Sequence, residues 1–201
     1  MVLKKTRNSS LELLRILAML MIVLSHACKH SQFDYVYAEM SLNKLFVQWG
    51  GLGHMANGIF MLISGYFLCT KQNNTQSLIR LFLQVWFYSI TLYVVSRFGF
   101  QQTYSLYEYC AVFFPTIFQE YWFFTAYVVI SLLCPYMNLV LQKADRESLR
   151  NLIIIMFIIW VLIPTFTMQS IFGTGLVQMS FYYIVGAYFR LYPDHTLKNK
   201  T

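Results

Sequence analysis

Leu11-Glu12-Leu13-Leu14-Arg15-Ile16-Leu17-Ala18-Met19-Leu20-Met21-Ile22-Val23-Leu24-Ser25-His26-Ala27-Cys28 is the stretch on which the fold turns. Its only charged residues, Glu12 and Arg15, stand near its start, and the rest is apolar apart from Ser25 and His26. As a helix it extends about 27 Å, close to the ~30 Å hydrocarbon core of a bilayer. A secretory leader is the competing explanation. Against it, Glu12 and Arg15 interrupt the start of the run and bulky His26 precedes Ala27.

Runs of the same kind recur near Trp49–Cys69, Leu78–Phe98, Tyr121–Leu141, Leu152–Thr167 and Leu176–Leu191. Hydrophobic residues make up 58% of the chain and charged residues 11%, whereas a soluble domain is about a quarter charged. The expected fold is therefore all-α: a polytopic integral membrane bundle of about six transmembrane helices, forming a single domain over residues 1–201. Tyr104–Phe118, interrupted by Glu108 and Pro115, is too short to span and reads as an interfacial or re-entrant segment. Leu152–Trp160 is apolar all round, as expected of a helix facing lipid.

Lys and Arg are retained on the cytoplasmic side of membrane helices. With the N-terminus inside, six spans place Lys4, Lys5, Arg7, Lys71, Arg80, Lys143, Arg146, Arg150, Arg190, Lys198 and Lys200 inside, against Lys29, Lys44 and Arg97 outside. Both termini are thus expected in the cytoplasm. The same bias accounts for most of the net charge of +7, and it points to anionic lipid rather than nucleic acid as the partner of the basic loops. Cys28, Cys69, Cys110 and Cys134 have no metal-ligand spacing and read as small apolar fillers, with a Cys28–Cys110 disulfide conceivable.

Ionisable groups inside a membrane are costly and mark bundle interiors or aqueous cavities. Arg15 and His26 are eleven positions apart, which on a helix is ~16 Å along the axis and ~20° in projection. One stripe therefore carries a cation at its inner end and an imidazole at its outer end, and Glu12 can pair with Arg15 across one turn. On the second helix His54, Asn57 and Ser64 fall close to one face, with His54 and Asn57 at the level of His26. The third helix begins with Arg80, whose fork of donors matches a phosphate. Taken singly, Arg15 and Arg80 are ordinary snorkelling anchors and His26 an ordinary interfacial residue. Their alignment points to a site.

These residues resemble the integral membrane acyltransferases of the acyltransferase-3 type, which O-acylate cell-surface glycans. The likeness begins at Arg7-Asn8-Ser9-Ser10-Leu11-Glu12-Leu13-Leu14-Arg15, continues through the Arg-x10-His spacing of Arg15 and His26, and includes Gly58-Ile59-Phe60-Met61-Leu62-Ile63-Ser64-Gly65-Tyr66-Phe67. Tyr121-Trp122-Phe123, followed by Pro135 and Asn138, is similar to a later segment of the family. Two features depart from it. Arg80 lacks the additional basic residue and the proline usual nearby, and members typically have about ten helices of spanning length. The chain thus looks like the N-terminal part of such an enzyme, truncated at its C-terminus.

The resemblance implies a bacterial cell-membrane enzyme that uses acyl-CoA, with acetyl-CoA foremost, as donor substrate. It has no bound cofactor and no metal, and a polysaccharide or other glycan is the acceptor. Arg15 and Arg80 would bind the donor, His26 would act as general base, and His54, Asn57 and Ser64 would line the acceptor cavity. Direct transfer, or relay through His26, is preferred over an ester on Ser64, which has no evident activating partner. Other classes that fit intramembrane Arg15, His26 and His54 are a small multipass transporter or channel subunit, and a non-enzymatic assembly partner. The sequence shows no internal repeat of the kind many transporters carry. Six helices leave polar stripes to be covered, so the short chain is expected to be weakly active and to associate as a homo-oligomer.

Overall fold

A computed structural model describes residues 9–30, 52–71, 75–118, 121–167 and 175–193. Helix α1 covers Ser9–His30, α2 Leu52–Leu68 and α3 Thr75–Val94, which continues through a π turn at Val95–Gly99. Then come α4 (Leu106–Phe113) and α5 (Trp122–Lys143). Helix α6 (Arg146–Phe157) passes through a second π turn, Ile158–Leu162, into α7 (Ile163–Thr167), and α8 covers Gly175–Leu191. Among the described residues there is no strand. The sequence expectation that Trp49–Gly51 belong to the second helix lies outside the described residues.

Local chemistry accounts for several of the ends. Glu12 in the first turn of α1 complements the positive end of the helix dipole. Helix α4 opens with a capping box in which the Ser105 hydroxyl accepts from the Glu108 N–H while the Glu108 carboxylate accepts from the Ser105 N–H at 2.6 Å. Asp145 caps α6 by accepting from the backbone N–H groups of Glu147 and Ser148, both at 3.1 Å. A side-chain hydrogen bond with Ser148, together with these backbone bonds, favours the carboxylate form and holds Asp145 below its ordinary pKa. The cap also explains why α6 begins at Arg146 rather than at Leu152, where apolarity alone placed it.

Helix α2 is the centre of the bundle. Helix α1 lies antiparallel on one side of it, with Ser25 against Gly53 at one end and the Arg15 guanidinium over the Phe67 ring at the other. Helices α5 and α8 run parallel to α2. Phe60 meets Phe123 and Tyr127, and Leu68 meets Asn138, while Gly58 faces Tyr182 and Tyr66 faces Arg190. Lipid offers no hydrophobic drive for helices to associate, so close approach through small residues has to supply the contact. The α2–α8 crossing shows this: a Cβ at Gly65 would lie 2.1 Å from the Tyr183 carbonyl oxygen, and one at Gly186 would lie 2.0 Å from that of Leu62.

The periphery is apolar and uncovered. Most of α3 is exposed, including Phe87, Leu92 and Leu83, which suits a lipid-facing helix. Residues Ser9–Cys28, Thr75–Gly99, Trp122–Lys143 and Arg146–Thr167 form four helices long and apolar enough to cross a membrane. The expected six are not all of that length. Helices α2 and α8 have 17 residues each, about 25 Å of rise. Helix α2 is nonetheless the most enclosed element, with Gly53, Ala56, Asn57, Gly58, Met61, Ile63, Ser64 and Gly65 all buried.

The Tyr104–Phe118 segment forms short α4 and a turn after it, laid against α3. Trp86 Nε1 donates to the Phe113 carbonyl at 3.0 Å and the Ser89 hydroxyl to the Val112 carbonyl at 3.1 Å. Both bonds satisfy carbonyls at the end of α4 that its own ladder leaves free.

Candidate functional site

The face of α1 turned away from α2 carries Glu12, Ile16, Met19, Leu20 and Val23, with Arg15 at its border, and these residues line an open groove. Ile16, Met19, Leu20 and Val23 are 58%, 51%, 54% and 61% exposed, and among the described residues nothing covers the strip. His26 continues it by one turn and is also exposed. The opposite stripe, Ala18, Ser25 and Cys28, is buried. The groove is thus apolar along its length, with a guanidinium at one end and an imidazole at the other.

Arg15 is oriented from two sides. Its guanidinium carbon stands 5.3 Å from the centre of the Phe67 ring, and its Nη1 is 4.0 Å from a Glu12 carboxylate oxygen. The ion pair is long and partly exposed, so its contribution is small. The ring contact fixes where the cation points.

At the far end of the bundle His54 rests on Trp122, ring centres 6.0 Å apart. Because Ser25 abuts Gly53, His26 and His54 stand at the same level, as their sequence positions suggested. Asn57 and Ser64 are buried within α2. The Ser64 hydroxyl donates to the Phe60 carbonyl one turn back, at 2.9 Å, a bond that uses its proton within its own helix.

Arg80 is not brought to Arg15. It is exposed on α3, and α3 touches the bundle where Phe82 meets Phe124, ring centres 6.3 Å apart. Phe124 lies about 21 Å along α5 from Asn138, the residue that marks the Arg15 end by contacting Leu68. The Cys28–Cys110 disulfide is not formed either, since all four cysteines are free thiols.

The structure also brings together groups that sequence reasoning had scattered. Tyr66 and Phe67, consecutive on the last turn of α2, meet edge to face with ring centres 5.3 Å apart. Arg190 of α8 sits 5.2 Å over the Tyr66 ring, its Nη1 donating to the Tyr66 hydroxyl at 3.3 Å. Behind this pair a polar network, buried at Cys134, Asn138 and Tyr183 and reaching the surface at Gln142, closes the end of α2. Asn138 Nδ2 donates to the Leu68 carbonyl at 2.9 Å, the Tyr183 hydroxyl donates to Asn138 Oδ1 at 2.8 Å, and Gln142 Nε2 donates to the Cys69 carbonyl at 2.6 Å. Cys134 Sγ lies 2.8 Å from the Tyr183 hydroxyl. Cys134, Asn138 and Gln142 recur every four residues on one face of α5, a spacing visible in the sequence. Nothing there indicated that their partners would be the terminal carbonyls of α2.

A family model described as an acyltransferase domain matches residues 8–201. No curated protein and no solved structure matches the chain.

Proposed function

The chain belongs to the membrane acyltransferase-3 family, and from that premise we propose that it moves an acyl group, acetyl foremost, from cytoplasmic acyl-CoA to a hydroxyl of a cell-surface glycan. The observation that carries this reading is the open face of α1. Its charged end suits the phosphates of an acyl-CoA, and its apolar middle, Ile16, Met19, Leu20 and Val23, gives the alkyl segments of the arm a surface to lie on, with the arm's amides turned away from it. Six crossings, with both termini in the cytoplasm, put Arg15 at the inner surface and His26 at the outer one. The antiparallel course of α1 against α2, and the parallel courses of α5 and α8, agree with that topology, whereas the Phe82–Phe124 contact brings the first half of α3 to the His26 end.

In this scheme Arg15 receives donor phosphate and the arm extends along α1, delivering the thioester to His26. The acceptor hydroxyl gives its proton to the imidazole as its oxygen attacks the thioester carbonyl. The new C–O bond completes the ester, the C–S bond breaks, and coenzyme A leaves with a proton returned by the imidazolium. His54, on the same level and held by Trp122, belongs to the acceptor side together with buried Asn57. Back-bonded Ser64 argues for direct transfer over an acyl-serine. Arg80, anchored away from Arg15, adds positive charge without sharing its phosphate.

Binding of acetyl-CoA to the detergent-purified chain, compared with Arg15→Lys, tests the donor site. A point charge in place of a bidentate fork should weaken binding. Unchanged affinity would remove Arg15 from the donor site.

A further inference from the structure

The two arginines at the end of α2 come from helices far apart in the sequence, yet each is placed by one member of the same aromatic pair. Arg15 stands 5.3 Å from the centre of Phe67, Arg190 stands 5.2 Å from the centre of Tyr66, and the two rings are 5.3 Å apart. Helix α2 carries no basic residue in its own last turn, so the negative end of its dipole is met by cations from its two neighbours. Glu12 balances Arg15 in part. Arg190 makes no ion pair among the described residues, and it is exposed at the bundle's end. Two guanidinium groups are held at one end, and Glu12 is paired only with Arg15, which leaves a positive charge at Arg190 that an anionic ligand would neutralise.

Coenzyme A carries its negative charge at two separated places, the diphosphate and the 3′-phosphate of its ribose. The flexible arm leaves from the diphosphate. The arginine at the mouth of the α1 groove, Arg15, is therefore the one that suits the diphosphate. Resting on the donor reading above, we infer that Arg190 is a second donor-binding residue and that it takes the 3′-phosphate of the nucleotide. Tyr66 positions it, through the face of its ring and through the hydroxyl that accepts from Arg190 Nη1. The structure thereby supplies a partner for Arg15 from α8 rather than from α3.

The test uses the full chain in phosphatidylcholine nanodiscs and compares its affinities for coenzyme A and for dephospho-coenzyme A, which lacks only the 3′-phosphate. The wild type should favour coenzyme A about tenfold, the scale of one charge-assisted contact. Arg190→Gln should bring that ratio to about one while leaving dephospho-coenzyme A affinity unchanged, and Tyr66→Phe should lower the ratio partway. Arg15→Gln should weaken both nucleotides alike and keep the ratio. Monodispersity in size-exclusion chromatography shows that each variant is folded, and a misfolded Arg190→Gln leaves Tyr66→Phe to decide. A full ratio in Arg190→Gln, or an equal loss for both nucleotides, overturns the assignment. So does a wild type without preference. In parallel nanodiscs doped with phosphatidylglycerol, an Arg190→Gln effect confined to binding of that lipid overturns it in favour of a lipid headgroup. A wild type that binds neither nucleotide refutes the donor reading itself, and this inference with it.

Discussion

Gly65→Ala and Gly58→Ala are the same chemical change on the same helix, two turns apart, and the structure separates them. At Gly65 the new methyl would lie 2.1 Å from the Tyr183 carbonyl oxygen and 2.8 Å from its carbonyl carbon. Backbone cannot rotate out of the way, so α2 and α8 must part by about 1 Å to restore ordinary van der Waals contact. At Gly58 the methyl meets the edge of the Tyr182 ring at 2.9 Å, and that side chain can swing aside. Overpacking costs roughly 1–3 kcal/mol, and alanine recovers up to about 1 kcal/mol of helix propensity. Gly65→Ala should therefore lose about 1–2 kcal/mol, and Gly58→Ala should stay within about 1 kcal/mol of wild type. For a chain of this size, that puts the Gly65→Ala melting temperature about 2–8 °C lower. Cys69 and Cys134 are buried free thiols, so a thiol-reactive dye reports unfolding in detergent. Equal midpoints for the two variants would refute the backbone crossing at Gly65.

Asn138→Leu removes the donor to the Leu68 carbonyl and the acceptor for the Tyr183 hydroxyl, and should cost about 1–3 kcal/mol in the same melting assay. Wild-type stability in that variant would show that the network contributes nothing net. Because its hydrogen bonds with Ser148 and Glu147 hold Asp145 below its ordinary pKa of 3.8, the stability it gives α6 is fully present above that ordinary value and is lost as pH falls through the lower folded value. Amide exchange at Glu147 and Ser148, measured between pH 6 and pH 3 against Asp145→Ala, should converge on the variant's rate only at the acid end. Arg80→Gln should weaken donor binding less than Arg15→Gln does, and equal losses would place Arg80 at the same phosphate.

The fold was legible where apolar length decides it. Leu11–Cys28, Leu78–Phe98 and Tyr121–Leu141 lie within a few residues of α1, of α3 with its π turn, and of α5, because a bilayer demands runs of that length. Helix α6 starts earlier than expected because Asp145 supplies a cap and extends a polar first turn that hydropathy discounts. Arg15 and His26 share a face because eleven residues on an unbroken helix allow nothing else, and the same reasoning put His54 level with His26. Arg190 was invisible as a neighbour of Arg15. Its position follows from the α2–α8 crossing through Gly65 and Gly186, a contact between helices more than a hundred residues apart that no local pattern announces. Asn138 and Tyr183 form the polar closure of α2, since carbonyls at a helix end need partners wherever that end is buried.

The central claim is that His26, at the outer end of the open α1 face, takes the acceptor proton. Radiolabelled acetyl transfer from acetyl-CoA to a surface polysaccharide, in membranes that contain the chain or its His26→Ala variant, tests it most directly. Wild-type transfer should be slow, because the α1 face is uncovered, and His26→Ala should lower it by roughly 10²–10⁴-fold while donor still binds. Equal transfer by the two proteins would contradict the account.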